Sequence, residues 1–225
     1  MIKFDDVSKQ FPLGNIALKN VSFEIKDHEF VFFVGPSGAG KTTILKILMR
    51  QYAPTSGSVM VNDFNLSDKN FKHVERLRQR IGVVFQDFKI LPDKNIHENI
   101  ALGLKVSGAS VQYIKQAVEE ALHLVNLPHK INVFPAQLSA GELQRVAIAR
   151  AIVGDRDIII ADEPTGNLDP KTAWDIMKIF KKLEGKKTIL FATHNIDIVN
   201  SLRKRVFVMK DGKLIKDTKK GGYEV

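Results

Sequence analysis

The chain contains no cysteine. Disulfide staples and cysteine-ligated zinc are both excluded, which suits a reducing cytoplasm. It also lacks any apolar run approaching the roughly 18 residues that suggest a membrane-spanning helix. The opening Met1-Ile2-Lys3-Phe4-Asp5-Asp6 is neither a basic segment nor the start of an apolar stretch, so no signal peptide is expected. Internal repeats and low-complexity tracts are missing too. What is there is 225 residues with 44% hydrophobic and 26% charged side chains, the composition of a globular domain. That length fits one large domain, or a domain with an inserted subdomain, with a sizeable core.

Acid is scarce at one end. From Lys171 to Val225 there are fourteen basic and six acidic side chains, which carries nearly all of the chain's net charge of +9. A solvated basic face is one reading. Attraction to lipid headgroups or nucleic acid is another. Charge runs are weak evidence, and the first reading is preferred.

Hydrophobic periodicity predicts alternating strands and helices. Val21, Phe23 and Ile25 alternate with polar residues, as on a half-buried strand. Phe30 to Val34 is a continuous apolar run, expected of a strand covered on both faces. Ser58 to Val61 and Ile81 to Phe85 predict further strands. From about Asp87 to Val153 the strand signal vanishes. Ser110 is placed to cap a helix with Val111, Ile114, Val118, Leu122 and Val125 on one face, and Ser139 to cap another. This stretch reads as a helical insertion in an α/β core. Ile158 to Ala161 restores a buried strand. A helix follows with Ala173, Ile176, Met177, Phe180 and Leu183 at helical spacing. Then come a strand at Thr188 to Ala192, a short helix from Ile196 and a late strand at Val206 to Met209. The polar tail after Asp217 is expected to be mobile.

Gly35-Pro36-Ser37-Gly38-Ala39-Gly40-Lys41-Thr42 fits the phosphate-loop pattern at each fixed position, between a predicted strand and a predicted helix. Glycines let successive N–H groups turn into one concavity, which suits an anion. The helix adds its positive end. Lys41 offers a point charge to the β- and γ-phosphates of a nucleotide, and Thr42 a hydroxyl to Mg²⁺. Thr43 continues the loop into the helix. Asp162, at the end of an apolar strand, is suited to hold the Mg²⁺ hydration shell. Glu163, next to it, can orient the attacking water or accept its proton.

Leu138-Ser139-Ala140-Gly141-Glu142-Leu143-Gln144-Arg145 resembles the signature of ABC ATPases, and it lies between the phosphate loop and the Asp-Glu strand as in that family. Gln86 after a strand matches the family's glutamine, which would touch Mg²⁺. Gly166-Asn167-Leu168-Asp169 matches the acidic turn, with Asn167 and Asp169 at the dimer contact. His194 after a strand matches the histidine that holds the γ-phosphate and the water. Phe11 matches the aromatic that stacks on adenine, with core packing as its rival. The resemblance covers essentially the whole chain. It implies one domain over 1–225: a P-loop NTPase fold with a RecA-like core and β subdomain at about 1–86 and 154–225, and a helical subdomain at about 87–153. It also implies ATP and Mg²⁺ as ligands, and a head-to-tail homodimer in which each ATP lies between Lys41 of one copy and the Ser139 helix of the other. Two positions depart from the pattern. Ala140 stands where the signature has its first glycine, and Glu142 where glutamine is commoner.

Within this family the run Ile81 to Leu91, the opening Met1 to Phe4, Asp162 to Pro170 and the end from Asp217 to Tyr223 resemble the FtsE-type cell-division ATPases of Gram-positive organisms. That implies a separate FtsX-like membrane partner, docked beside Gln86. It also implies work at the cytoplasmic face of the plasma membrane, at the division site, with control of peptidoglycan hydrolases across the membrane. A lipoprotein-release or macrolide-efflux ATPase is the alternative, since these share the Gly166 to Asp169 turn. A soluble ABC ATPase acting on DNA is a more remote one, and nucleic acid is not expected as a partner.

Overall fold

Five consecutive residues, Phe30–Val34, are buried without interruption and form the central strand of a parallel arrangement. Such a strand needs neighbours on both edges and cover on both faces. The computed structural model describes residues 1–219 and Gly221. In chain order the first elements are β1 (Ile2–Gln10), β2 (Ile16–Ile25), β3 (Phe30–Val34), α1 (Lys41–Leu48), β4 (Ser56–Val61), β5 (Phe64–Asn65), α2 (Val74–Arg80) and β6 (Ile81–Val84). Then follow α3 (Ile96–Val106), α4 (Val111–Leu124), α5 (Ala140–Ile152), β7 (Ile158–Asp162), α6 (Pro170–Leu183), β8 (Thr188–Ala192), α7 (Ile196–Leu202), β9 (Arg205–Lys210) and β10 (Lys213–Thr218).

The chain divides into two units: Met1–Arg78 together with the stretch from Glu184, and Gln79–Leu183. In the first unit β1 pairs antiparallel with both β2 and β4, which gives a sheet of order β2-β1-β4-β5. β3 pairs parallel with β8 on one side and β9 on the other, and β10 adds antiparallel to β9. Phenylalanines fill the space between these strands: Phe23 lies 4.5 Å from Phe4, 5.7 Å from Phe33 and 5.0 Å from Phe207, centroid to centroid. Each buried ring contributes about 1.5–3 kcal/mol from its area alone. Arg205 lies over Phe207, forks onto Asp217 at 2.9 and 2.7 Å, and reaches Glu29 at 2.9 Å. These acids, Asp217 first, make the guanidinium hold its proton more tightly than usual.

In the second unit β6 and β7 pair parallel, with Val84 opposite Ala161. Between Asp87 and Val153 the regular structure is helical. Each long helix here starts on a side-chain cap. Asn95 and Glu98 form a reciprocal box at α3, Ser110 accepts from the Tyr113 N–H at α4, and Ser139 and Glu142 form a second box at α5. Such caps satisfy N–H groups that have no helical partner, for about 0.5–2 kcal/mol each. Ile114, Val118, Leu122 and Val125 are buried as the spacing predicts, but Val111 is 85% exposed. It is the first residue of α4, where the helix has not yet met its neighbours. The tail expectation is corrected at its start: Thr218, just after Asp217, still belongs to β10. Lys220 and residues 222–225 lie outside the described residues. Among the described residues no helix is long and apolar enough to cross a membrane.

Candidate functional site

Parallel strands bring their C-terminal ends to one edge, and the residues beyond them form ligand sites. In the first unit Phe33 of β3 is opposite Ala192 of β8, and the Thr193 N–H donates to the Phe33 carbonyl at 3.0 Å. The phosphate loop leaves β3 at the edge where Thr193 and His194 leave β8. His194 is exposed there. Asn195 caps α7 by accepting from the Ile198 N–H at 3.1 Å, which fixes the backbone just after the histidine.

Gly35 and Ala39 to Lys41 are buried, whereas Pro36, Ser37, Gly38 and Thr42 are exposed and Thr43 is half-buried. Gly40 occupies the cap of α1 at φ 104° and, as a glycine, offers no side-chain cap. Any other residue would be strained at that φ, and its Cβ would stand 2.8 Å from the Ala17 carbonyl oxygen. The buried Lys41 ammonium donates to the carbonyls of Gly35 at 2.6 Å and Pro36 at 3.1 Å, so its chain folds back along the loop. A helix N-terminus beside a buried cation fits an oligophosphate.

Phe11 sits in the turn between β1 and β2. Its N–H donates to the Asn15 carbonyl at 2.8 Å, and its carbonyl accepts from Gly14 at 2.9 Å. The ring is half-buried, not core. It meets Tyr52 edge-on at 5.2 Å, with Lys9 at 5.3 Å from its centroid. A half-buried ring braced edge-on by a second ring is a platform on which a base can stack.

The second unit repeats the parallel-edge logic. β6 is followed by Gln86 and β7 ends in Asp162, so Gln86, Asp162 and Glu163 leave the same edge. Glu163 stands at φ 49°, a conformation that costs a non-glycine residue of order 1 kcal/mol and is concentrated at functional sites. Its carbonyl accepts from the Gly166 N–H at 3.1 Å, which closes the turn. Gln86 Nε2 donates to Asn167 Oδ1 at 3.4 Å, and Asn167 Nδ2 donates to the Gln86 backbone carbonyl at 3.5 Å. Asp169 accepts from the Thr172 N–H at 3.0 Å and so begins α6. Hydrogen bonds from Thr172, its hydroxyl first, hold the Asp169 carboxyl below the usual carboxylate range. Among the described residues no group of three or more histidine or acidic side chains is placed to hold a metal ion. The donors that the sequence offers are the Thr42 hydroxyl, the Gln86 amide and the Asp162 carboxylate, hard oxygens that suit Mg²⁺ carried on phosphates.

The signature segment begins α5. Ser139 caps it, and the Glu142 carboxylate accepts from the Ser139 N–H at 2.9 Å and its hydroxyl at 3.1 Å. Lys130 lies 3.5 Å from the same carboxylate. The Ser139 backbone bond first, then its hydroxyl and Lys130, hold Glu142 below its ordinary value. Ala140 has no positive φ and needs no glycine. Gly141 does. A Cβ there would stand 2.5 Å from Thr172 Cγ2, so α5 and α6 approach closely at this point. Two further groups escaped the sequence reading. Gln144 is fully buried with neither amide atom hydrogen-bonded among the described residues. Arg150 grips the carbonyls of Phe88 and Lys89. Gln144 stands within the signature segment, but neither its burial nor the grip of Arg150 can be read from a motif, because both depend on tertiary packing.

Residues 18–166 match the family model for the ABC transporter. The chain belongs to the ABC transporter family. It is 47% identical to the cell division ATP-binding protein FtsE of Bacillus subtilis, covering 99% of this chain and 98% of that one. It is 48% identical to FtsE of Streptococcus pneumoniae D39, over 99% of this chain and 97% of that one. Among solved structures it resembles the dimeric ABC transporter cassette MJ0796, with 37% identity and a TM-score of 0.88, covering 99% and 100% of the two chains. The same cassette in a post-hydrolysis state bound to ADP and Pi gives 36% identity and a TM-score of 0.87, again over 99% and 100%. As a member of this family the chain has the P-loop NTPase fold of ABC cassettes and is an ATPase that uses ATP with Mg²⁺.

Proposed function

We propose that this ABC ATPase is the motor of a cell-division complex, and that two copies close head to tail on ATP. What carries the reading is the buried Lys41 lying along the phosphate loop beside a helix start capped by glycine, in a chain similar to FtsE proteins over nearly its full length. Gly35 to Thr43 hold the phosphates, and Phe11 supports adenine. Thr42, Gln86 and, through water, Asp162 are the groups that would hold Mg²⁺, which neutralises charge on the phosphates when bound. Glu163 orients the attacking water and takes its proton, and His194 steadies the γ-phosphate. Ser139 to Glu142 of one copy face the ATP held by Lys41 of the other, with Asn167 and Asp169 at the contact between copies. Loss of the γ-phosphate removes the bridge and lets the pair open.

The work passes to a separate membrane protein of the FtsX type, docked beside Gln86 on the Phe85 to Leu91 segment. The chain acts at the cytoplasmic face of the membrane at the division site, and its output is control of peptidoglycan hydrolases. Copurification from membranes tests this. A four-span partner with a large extracellular loop is expected. A permease with a substrate path overturns the division reading in favour of transport.

A further inference from the structure

Asn126, Arg145, Asp175, Lys178, Ile179 and Lys182 line a pocket of about 260 Å³ within the second unit. α5 supplies Arg145, α6 supplies four of the others, and Asn126 follows α4. Ile179 is buried and gives the lining an apolar part. Around it stand three cations and one carboxylate. That carboxylate is committed: Lys178 Nζ lies 2.8 Å from Asp175 Oδ1. The hydrogen bond from Lys178, then the charges of Lys178, Arg145 and Lys171, hold Asp175 below its usual range. The remaining charge belongs to Arg145 and Lys182.

Both keep unused donors. Lys182 Nζ donates to the Leu124 carbonyl at 3.4 Å, and an ammonium has three protons to give. Arg145 Nε is buried and has no hydrogen-bond partner among the described residues. Lysines on an open helix face would be solvated and need no ligand; here the guanidinium of Arg145 and the ammonium of Lys182 line one concavity, which sets this cluster apart. The volume falls below the roughly 300–1,000 Å³ of sites for drug-sized ligands. A planar fork flanked by a point charge suits a tetrahedral oxyanion on a small body.

We propose that this pocket is a second anion site, separate from the phosphate loop, and that it takes a small phosphate-bearing group, either free or as a lipid headgroup. Calorimetric titration with inorganic phosphate tests it, on the whole chain saturated with Mg²⁺ and a non-hydrolysable ATP analogue so that the phosphate loop is filled. One phosphate per chain is expected. Binding weakens at least tenfold in Lys182→Glu, and also in Arg145→Lys, which keeps the charge and loses the fork. Analogue affinity stays unchanged in Lys182→Glu, which shows that the variant is folded. Sedimentation with phosphatidylglycerol vesicles separates the sources. Vesicle binding that Lys182→Glu reduces and inorganic phosphate competes away assigns a lipid headgroup. Phosphate binding without it assigns a free anion. The proposal is overturned if neither arm responds to Lys182→Glu, or if an acidic peptide binds there while phosphate does not.

Discussion

Arg150, in the last turn of α5, donates to the carbonyl oxygens of Phe88 at 2.7 Å and Lys89 at 2.6 Å. Those two residues stand consecutively in the left-handed region, at φ 58° and 51°. The turn just after Gln86 is thus held against its own backbone preference by a guanidinium on the signature helix. A little further on, the buried Asn99 bonds both the N–H and the carbonyl of Leu91, at 2.8 and 3.0 Å. Arg150→Lys keeps the charge but cannot span both carbonyls. It should lose about 1.5–3 kcal/mol in urea unfolding, and amide exchange should speed up around Phe88 to Leu91. An unchanged exchange pattern would show that the grip is incidental.

Gln144 is expected to lower stability as it stands. Gln144→Met keeps the volume and removes two buried polar atoms that have no hydrogen bond. The midpoint of urea denaturation should rise by an amount equivalent to about 1–3 kcal/mol. A fall of that size would mean that the amide is satisfied in solution.

Much of this architecture was legible in the sequence, and the failures have physical causes. Phe30 to Val34, Ile158 to Ala161 and Thr188 to Ala192 read as buried strands because they are apolar throughout. Polar residues at the strand exits then marked Lys41, Asp162, Glu163 and His194. β1 was illegible beyond its resemblance. Ile2 and Phe4 alternate, but Asp6 stands at φ 52° beside a shift in register, so the next inward residue, Val7, comes one place late. Period-two reading fails at such a bulge. Nor does the sequence show that a Cβ at Gly141 would meet Thr172. Contacts of this kind join residues far apart in the chain, and no local pattern records them.

That contact can be tested by a pair of substitutions. Gly141→Ala places a Cβ against Thr172 Cγ2 and should cost about 1–3 kcal/mol. Thr172→Ser removes the methyl and keeps the hydroxyl that serves Asp169. The double variant should recover most of the loss. Strict additivity of the two costs would place the strain elsewhere.

Glu142 has a pH signature. Its carboxyl is depressed in the folded chain by Ser139 and Lys130. A depressed carboxyl stabilises the fold above its unfolded value, and the gain is lost as pH falls through the folded one. Glu142→Gln should therefore lower Tm slightly at pH 7, since exposed pairs are worth only about 0–1 kcal/mol. The difference should disappear in acid below the normal carboxylate range. A Tm difference that grows on acidification would contradict the assignment.

The central claim is that Glu163 drives ATP hydrolysis in a pair of copies. Steady-state ATPase activity of Glu163→Gln, measured beside its mass in solution with ATP and Mg²⁺, addresses it most directly. Losing a general base typically costs about 10²–10⁴ in rate. The variant should bind ATP as the wild type does, lose at least a hundredfold in turnover, and accumulate as an ATP-bound dimer. Hydrolysis at the wild-type rate, or a chain that stays monomeric with ATP bound, would contradict the account.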